Sequence, residues 1–480
     1  MLGKLKKRWG SIPITVKVSV SYAVCSILQK CLSFITLPLF TRLLTTEQYG
    51  QYTIYQSWSG IISVFTTLNL AYGSFSTAMT KFEDDRDKYV SSMQGIFLLL
   101  SCGFLLLYLP FQQYWNILFE LPTGIILILL AETIAQNTIL LWSGKKRFEF
   151  KYKSVIFVTL LISIISPIIA YFLVIGTEEK GYSRIIGYAC VTIIVGGVIF
   201  FLNLFRGKSI FNKKYWKYAF SFNIPLLLYY LSQIIFNQSD RIMIGSICGI
   251  DDAALYGVAY NLSMILTVVL SAINNSYVPW LYGRLKADKG RDNRSVACGI
   301  AVLLSLPILF VIWYAPEIIT VMAGSEYSEA VGVVAPVSLC VLLLFYSQLF
   351  INIEFYYEEK GYLAVASVLS AVINVVLNAV LIPVFGFVAA GYTTLISYIL
   401  FVFCNYIAMK KILNKRNIDD VLYNYKGLIA VIVVMTALSV LGVFLYFDLL
   451  LRIIITLIIC ICIVIKFPKL IALLKEIKNQ

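Results

Sequence analysis

The chain of 480 residues contains no histidine, and only 13% of its residues are charged. Without histidine there is no Ser-His-Asp triad, no Cys-His pair and no imidazole to bind a metal. The ten cysteines show neither the spacing of a disulfide framework nor that of a zinc site. A glycine-rich nucleotide-binding loop is missing as well, which excludes an ATPase within the chain. We therefore expect a protein that is not an enzyme and that uses no metal and no cofactor.

Long apolar runs dominate the sequence instead. Hydrophobic residues make up 60% of the chain. Runs of roughly 20 apolar residues, each able to cross a hydrocarbon core of ~30 Å as a helix, follow one another from end to end. We count about 14 runs, which predicts an all-α, polytopic membrane helix bundle. The runs lie at roughly 13–40, 50–72, 90–110, 121–142, 154–175, 184–205, 219–245, 253–280, 296–323, 330–355, 362–383, 387–409, 427–447 and 450–466.

Basic residues are sorted between alternate gaps. One set of gaps, together with both chain ends, holds about 33 lysines and arginines, whereas the other set holds five. Because short loops rich in Lys and Arg stay cytoplasmic, we expect both termini on the cytoplasmic side of a bacterial inner membrane. The same sorting explains the net charge of +14 without nucleic acid as a partner. The five residues of the poor set are Arg42, Lys180, Arg184, Arg241 and Arg452.

No gap between the runs is long enough to form a soluble domain, so the chain divides only into groups of helices. We expect an N-terminal six-helix lobe at 1–212 and a second six-helix lobe at 213–412. A terminal helix pair with a cytoplasmic tail follows at 413–480.

The two lobes look like copies of one unit. Arg42 precedes Tyr49-Gly50 in the first lobe, and Arg241 precedes Tyr256-Gly257 in the second. Parallel repeats of this kind enclose a site between the halves in many transporters. The alternative is that Tyr-Gly recurs here only as a frequent turn pair.

Polar side chains inside the runs are expensive in lipid and tend to face a water-filled cavity. On the first, second, seventh and eighth runs they recur largely at steps of three and four, which places them on one face of each helix. We interpret these four helices as the walls of one central hydrophilic cavity that binds the substrate. The candidate cavity residues are Lys30, Arg42, Gln56, Tyr230, Gln233, Asn237, Arg241, Asn261 and Asn274.

Lys30 is the sharpest of these signals, because it lies ~20 Å of helix from either end of its run and cannot easily reach an interface. It indicates a cavity cation that attracts an anionic substrate, with a structural ion pair to Glu132 as the alternative. Arg42 and Arg241 lie near the outer ends of their helices, where an interface anchor is the alternative to a cavity role.

Three acidic residues are candidates for ion coupling, namely Glu132, Asp240 and Glu354. Glu132 shares a helix face with Gln136, and Asp240 has a local pair with Arg241 as its alternative. Polar residues of this kind also serve as hydrogen bonds between helices, so that interpretation stays open for each of them.

Three segments carry a resemblance to a known family. They are Leu37-Pro38-Leu39-Phe40-Thr41-Arg42-Leu43-Leu44 through Tyr49-Gly50, Asp240-Arg241-Ile242-Met243-Ile244-Gly245 running on to Tyr256-Gly257-Val258-Ala259-Tyr260-Asn261, and Ile373-Asn374-Val375-Val376-Leu377-Asn378 through Ala389-Ala390-Gly391-Tyr392-Thr393-Thr394. With them the chain resembles the polysaccharide-flippase branch of the superfamily that also contains the lipid II flippases and the multidrug and toxic-compound extrusion transporters. The resemblance covers essentially the whole chain.

The resemblance implies two six-helix lobes that rock between inward-open and outward-open states. It implies that the protein flips an oligosaccharide carried on undecaprenyl pyrophosphate, with membrane lipids and polysaccharide polymerase machinery as further partners. Lys30, Arg42 and Arg241 match the cavity cations that meet the pyrophosphate in the lipid II branch. The last helix pair matches a groove for the lipid tail. This cavity has fewer arginines than that branch, which argues against the peptidoglycan precursor itself.

Two rival functions remain open at this stage. A cation-coupled drug exporter of the same superfamily would need an acid-rich cavity, whereas the deep charge on the first two runs is basic. A membrane glycosyltransferase or polymerase would need a catalytic carboxylate or arginine set on a sizeable outer loop, and the sequence has no such loop.

Overall fold

The structure is a computed structural model that describes residues 14–72, 74–359, 361–418 and 422–458. Throughout these ranges the regular secondary structure is helical, which confirms the predicted all-α bundle. The basic N-terminal segment and positions 459–466 of the last apolar run lie outside the described residues.

The chain divides into two compact units, Met1–Ala254 and Leu255–Gln480. Residues 213–254 therefore group with the first unit, while the lobe boundaries after 212 and 412 stay predictions. The first unit contains helices α1 Ile14–Leu43, α2 Thr46–Thr67, α3 Phe75–Lys81, α4 Arg86–Tyr108, α5 Gln112–Phe119, α6 Thr123–Phe148, α7 Tyr152–Ile175, α8 Lys180–Gly207, α9 Lys213–Asn223 and α10 Leu227–Ile247, and α11 Ile250–Met264 crosses the division.

The turn from α1 to α2 is fixed by a capping box. The hydroxyl of Thr45 accepts a hydrogen bond from the Gln48 amide at 3.2 Å, and the Gln48 side chain accepts one from the Thr45 amide at 3.2 Å. These bonds satisfy two amide groups that have no partner within the helix. The end of α1 and the start of α2 are thereby held side by side.

Neighbouring long helices of the first unit run in opposite directions. Lys145, near the end of α6, forms an ion pair with Asp87 at the start of α4. Gly187, in the first third of α8, lies against the backbone of Ala170 near the end of α7. The loops therefore alternate between two ends of the unit, as expected of helices that cross a membrane in turn.

Basic side chains collect at one of these ends. Among the described residues, the end at which α6 and α8 finish carries Lys81, Arg86, Lys88, Lys145, Lys146, Arg147, Lys151, Lys153, Arg206 and Lys208. The opposite end carries Arg42, Lys180, Arg184 and Arg241. Within this unit, the basic residues that the sequence concentrates in alternate gaps therefore lie together at one end of the helices.

The seventh apolar run is broken into α9 and α10, whose axes are bent by 58°. The break contains Pro225, which lacks an amide donor and restricts the residue before it. The sequence predicted one continuous span here, and the proline explains the two helices.

The second unit contains α12 Thr267–Lys286, α13 Asn293–Trp313, α14 Ala315–Met322, α15 Val331–Tyr356, α16 Gly361–Phe385, α17 Val388–Lys415, α18 Tyr425–Phe444 and a short helix α19 Leu449–Ile458. Trp313 of α13 donates its indole N–H to the Leu438 carbonyl of α18 at 2.9 Å. Asn374 of α16 donates to the Thr394 hydroxyl of α17 at 3.3 Å. Here the polar residues of the eleventh run serve as hydrogen bonds between helices.

The chain is a multi-pass membrane protein. Eleven described helical segments are long and apolar enough to cross a membrane, and the bent pair α9–α10 makes twelve if it is one span. The two other expected spans are α2, which is rich in polar residues, and the last run, of which the structure describes Leu449–Ile458 as a short apolar helix.

Candidate functional site

Lys30 lies on an exposed polar strip of α1. It is 13 residues before Leu43, the last residue of the helix, or about 20 Å along the axis. Ser26 and Ser33, one turn away on either side, are exposed with it. The neighbouring Gln29 instead faces α7, where its amide donates to the Ser163 hydroxyl at 3.3 Å. Packing thus turns one side of α1 toward α7 and leaves the lysine side exposed.

The candidate residues of α10 differ in burial. Tyr230, Gln233 and Asn237 are half-buried, whereas Asp240 and Arg241 are buried. Arg241 donates to the Gln238 side chain at 2.5 Å. Its guanidinium is therefore held within the first unit.

The arginines of the proposed repeat occupy unlike positions. Arg42 is exposed in the last turn of α1, whereas Arg241 is 8% exposed inside α10. Tyr49 opens α2, while Tyr256 stands in the middle of α11. Both tyrosines are buried, at 2% and 0% exposure.

The remaining cavity candidates divide between the two units. Gln56 in the first unit is exposed and donates to the Tyr52 hydroxyl at 2.7 Å. In the second unit Asn261 is exposed, and half-buried Asn274 donates its amide to Gln348 of α15. The Asn274 amide is therefore used in joining α12 to α15.

The acidic candidates Glu132 and Glu354 are both buried, at 6% and 1% exposure. Glu132 accepts a hydrogen bond from the Tyr55 hydroxyl at 2.5 Å and another from the Gln136 amide at 3.0 Å. The exposed Lys30 is not among its partners. Neither carboxylate oxygen of Glu354 has a side-chain hydrogen-bond partner among the described residues.

Arg184 of α8 is a buried cation to which the sequence assigned no functional role. Its guanidinium carbon lies 3.7 Å from the ring centre of Tyr52, 4.6 Å from that of Tyr49 and 4.5 Å from that of Phe40. The side chain is 4% exposed, and its Nε and Nη1 atoms have no hydrogen-bond acceptor among the described residues. Cation–π attraction is thus its main compensation.

Arg184 also joins three helices of the first unit, because its ring partners come from the end of α1 and the start of α2. In the sequence, Arg184 stood out only as one of the five basic residues in the gaps that hold few lysines and arginines. Sequence spacing gives no sign of the rings, since they lie more than a hundred residues away along the chain.

Residues 16–283 match a protein family described as "Polysaccharide biosynthesis protein". The chain belongs to this family. The predicted membership is thus confirmed.

Among the relatives, "Lsg locus putative protein 1" of Haemophilus influenzae is 23% identical over 391 residues, covering 75% of this chain and 89% of that protein. An "Uncharacterized membrane protein" of the same organism is 22% identical over 351 residues, covering 71% of this chain and 78% of that protein.

Solved structures show the same fold. The inward closed conformation of the lipid II flippase MurJ has a TM-score of 0.69 at 13% identity, covering 94% of this chain and 99% of that one. An inward-facing multidrug resistance MATE family transporter of the MOP superfamily has a TM-score of 0.60 at 14% identity, covering 83% of this chain and 98% of that one. The chain therefore has the fold of this transporter superfamily.

Proposed function

We propose that the protein flips undecaprenyl-pyrophosphate-linked oligosaccharide repeat units across the bacterial cytoplasmic membrane by alternating access. The observation that carries the proposal is the lipid II flippase fold along 94% of the chain, found in a member of a polysaccharide biosynthesis family. Lipid II names the cargo of that flippase, and the family description points to a glycan destined for a polymer.

The physical need for such a protein follows from the substrate. A glycan headgroup with a pyrophosphate loses the hydration of its hydroxyls and charges when it enters hydrocarbon, which costs far more than thermal energy supplies. A polar path with a few cations lowers that barrier. The protein's part is to bind and re-expose the headgroup, and no covalent bond of the substrate needs to change.

Lys30 is our first choice for contact with the pyrophosphate. An exposed lysine about 20 Å from the end of a membrane-spanning helix favours a water-filled path over lipid, because lipid solvates it poorly. The flanking hydroxyls of Ser26 and Ser33 extend the exposed polar strip. Arg42 and Arg241 are the other cations proposed for this role. Gln56, Tyr230, Gln233, Asn237, Asn261 and Asn274 supply the amides and the hydroxyl proposed to bind sugars.

The orientation is part of the proposal. The end of the first unit that is rich in Lys and Arg faces the cytoplasm under the positive-inside rule, so α2, α6 and α8 start at the outer face. Both chain termini are then cytoplasmic.

The decisive experiment is to deplete the protein and identify the undecaprenyl-linked species that accumulates. We expect one intact repeat unit on undecaprenyl pyrophosphate, confined to the cytoplasmic leaflet, together with loss of the surface polymer. Leaflet position is read with a glycan-modifying reagent that cannot cross membranes, applied to inverted and right-side-out vesicles. Accumulation of lipid II, or of no lipid-linked glycan, would contradict the proposal. Sensitivity to cationic drugs without such accumulation would favour the exporter instead.

A further inference from the structure

Glu132 is a buried residue whose carboxyl group has two side-chain hydrogen-bond partners, Tyr55 and Gln136. Glu132 stands nine residues after Thr123, the first residue of α6, and Tyr55 stands nine residues after Thr46, the first residue of α2. Each is therefore about 14 Å along its helix, and the hydrogen bond of 2.5 Å between them joins two helices that start at the same end of the unit.

No described cation forms an ion pair with Glu132. Its two oxygens accept from a neutral hydroxyl and a neutral amide, those of Tyr55 and Gln136. An ionised carboxylate without a counter-ion costs several kcal/mol at a buried site, and binding a proton removes that cost.

The site can satisfy either protonation state with the same residues. When Glu132 is ionised, the amide nitrogen of Gln136 donates to Oε1, as observed at 3.0 Å. When Glu132 is protonated, a half-turn of that amide offers its oxygen to the new O–H donor. Gln136 is exposed, so the carboxyl is one side chain away from the surface of the unit.

A metal cation fits this geometry poorly. Hard cations such as Ca²⁺ require six or more oxygen ligands. Both oxygens of Glu132 instead face hydrogen-bond donors, and no three His, Cys, Asp or Glu side chains cluster anywhere in the part of the chain that the structure describes. The partners observed suit a carboxyl group that exchanges a proton.

The charged and titratable groups around this half of α6 are few. α2 presents Tyr52 and Tyr55, and α4 presents Tyr108. α8 presents Tyr182, Arg184 and Tyr188, and the half-buried Glu120 lies three residues before the start of α6. Arg184 is held by the aromatic rings and makes no ion pair with Glu132. α3 and α7 also pack against α6, but their charged residues, Lys81 and Lys153, lie at the other end of α6. The ion pair of Asp87 with Lys145 lies at that end as well.

We propose that Glu132 is the site at which the protein binds a proton in one conformation and releases it in another during transport. The inference rests on the proposed function, and it adds the coupling ion. Closure of α2 on α6 around a dry site favours the carboxylic acid, whereas admission of water favours the carboxylate and a free proton. That difference in proton affinity between conformations is what couples the proton to transport.

The first test needs no substrate. The purified full-length protein in lipid nanodiscs is titrated with acid and base, and infrared difference spectra follow the C=O stretch of a protonated carboxyl group. Among the carboxyl bands that titrate, we expect one that Glu132→Gln removes and Glu132→Asp retains. Tyr55→Phe is expected to keep the band and shift its midpoint. Glu120→Gln is the matched control, since Glu120 is a half-buried carboxyl of the same unit, and it should keep the band unchanged.

The second test measures transport in vesicles with an imposed pH gradient. Glu132→Gln should abolish the stimulation by the gradient but keep slow equilibration of the substrate between leaflets. Stimulation that persists in Glu132→Gln, loss of the band in Glu354→Gln instead, or drive by a sodium gradient would each overturn the inference.

The two tests separate failure of the inference from failure of the proposed function. A carboxyl band that depends on Glu132, in a protein that moves no lipid-linked glycan, keeps the proton site and rejects the proposed substrate. Transport of the glycan without such a band keeps the function and rejects the proton site.

Discussion

Arg452 donates to both carboxylate oxygens of Glu317, with N–O distances of 2.5 and 2.8 Å. The same guanidinium donates to the carbonyl oxygens of Trp313 and Tyr446, at 2.5 and 3.1 Å. Arg452 is 1% exposed, so it ties α19 to the junction of α13 and α14. This planar fork needs arginine, because lysine cannot donate to two carboxylate oxygens in parallel.

Removal of this arginine should destabilise the second unit. Arg452→Ala leaves one carboxylate and two carbonyls without their donor. Breaking a buried pair costs ~3–5 kcal/mol, and because the Glu317 side chain is 36% exposed, we expect about 2–3 kcal/mol. Thermal melting in detergent measures the loss, with Arg452→Lys intermediate. The matched control is the exposed Arg291→Ala, which should melt like the parent protein. Equal melting of Arg452→Ala and the parent would show that the contact contributes nothing.

The same pair should make stability depend on acid pH. Burial alone would raise the pKa of the Glu317 carboxyl, but the hydrogen bonds from Arg452, a backbone hydrogen bond at Glu317 and the positive charge of Arg452 together outweigh burial and hold that pKa below its ordinary value. The folded-state pKa is therefore lower than the unfolded-state pKa. The pair's contribution is then fully present above the unfolded-state value of 4.5 and is lost as the pH falls through the folded-state value. We expect the melting temperature to fall across this range, and to fall less steeply in Arg452→Met and in Glu317→Gln. An identical pH profile in all three proteins would argue against this linkage.

Two adjacent glycines of α8 provide a test of helix packing. A Cβ atom at Gly196 would lie 2.5 Å from the Cβ and 2.7 Å from the Cα of Ala135 in α6, whereas one at Gly197 would meet nothing within 4 Å. Gly196→Ala therefore has to push two helices apart, which costs about 1–3 kcal/mol. Gly197→Ala gains helix propensity of up to ~1 kcal/mol. We expect the melting temperature to fall in Gly196→Ala and to rise slightly in Gly197→Ala. An unchanged melting temperature in Gly196→Ala would mean that α6 and α8 are less closely packed.

Lys30 should be required for transport and not for the presence of the protein in the membrane. We expect Lys30→Ala to abolish export of the surface polymer in a depleted strain, because the cation that attracts the pyrophosphate is lost. Lys30→Arg keeps the charge and should retain partial export. Immunoblotting of membranes checks that each variant is present at the parental level. Lys153→Ala, which removes an exposed lysine at the start of α7, is the matched control with full export expected. Full export by Lys30→Ala would remove Lys30 from the substrate path.

Some site geometry was predictable because it lies within one helix. The spacing of Glu132 and Gln136 predicted a shared face, and the 3.0 Å hydrogen bond between them confirms it. Four residues bring side chains one turn apart wherever the helix goes. The polar stripe at Ser26, Lys30 and Ser33 follows the same rule.

Other partners could not be predicted from the sequence, because they depend on how helices rotate and shift against one another. The sequence offered Lys30 as the alternative partner of Glu132, and the structure gives Tyr55 and Gln136 instead. In the sequence, Arg452 was one of five basic residues in the gaps that hold few lysines and arginines. Nothing there indicated that it forms a bidentate pair with Glu317, 135 residues earlier in the chain.

The sequence by itself determined that this chain is an all-helical membrane protein with its basic residues sorted into alternate gaps between the apolar runs. Hydropathy and charge act locally, on each segment and each loop, so they can be read without knowing any contact. Only the tertiary structure decided which buried charges meet aromatic rings, which meet a carboxylate and which meet neutral donors. Those choices depend on the depth and rotation of each helix against its neighbours, which the packing of side chains sets and the hydrophobic pattern leaves free.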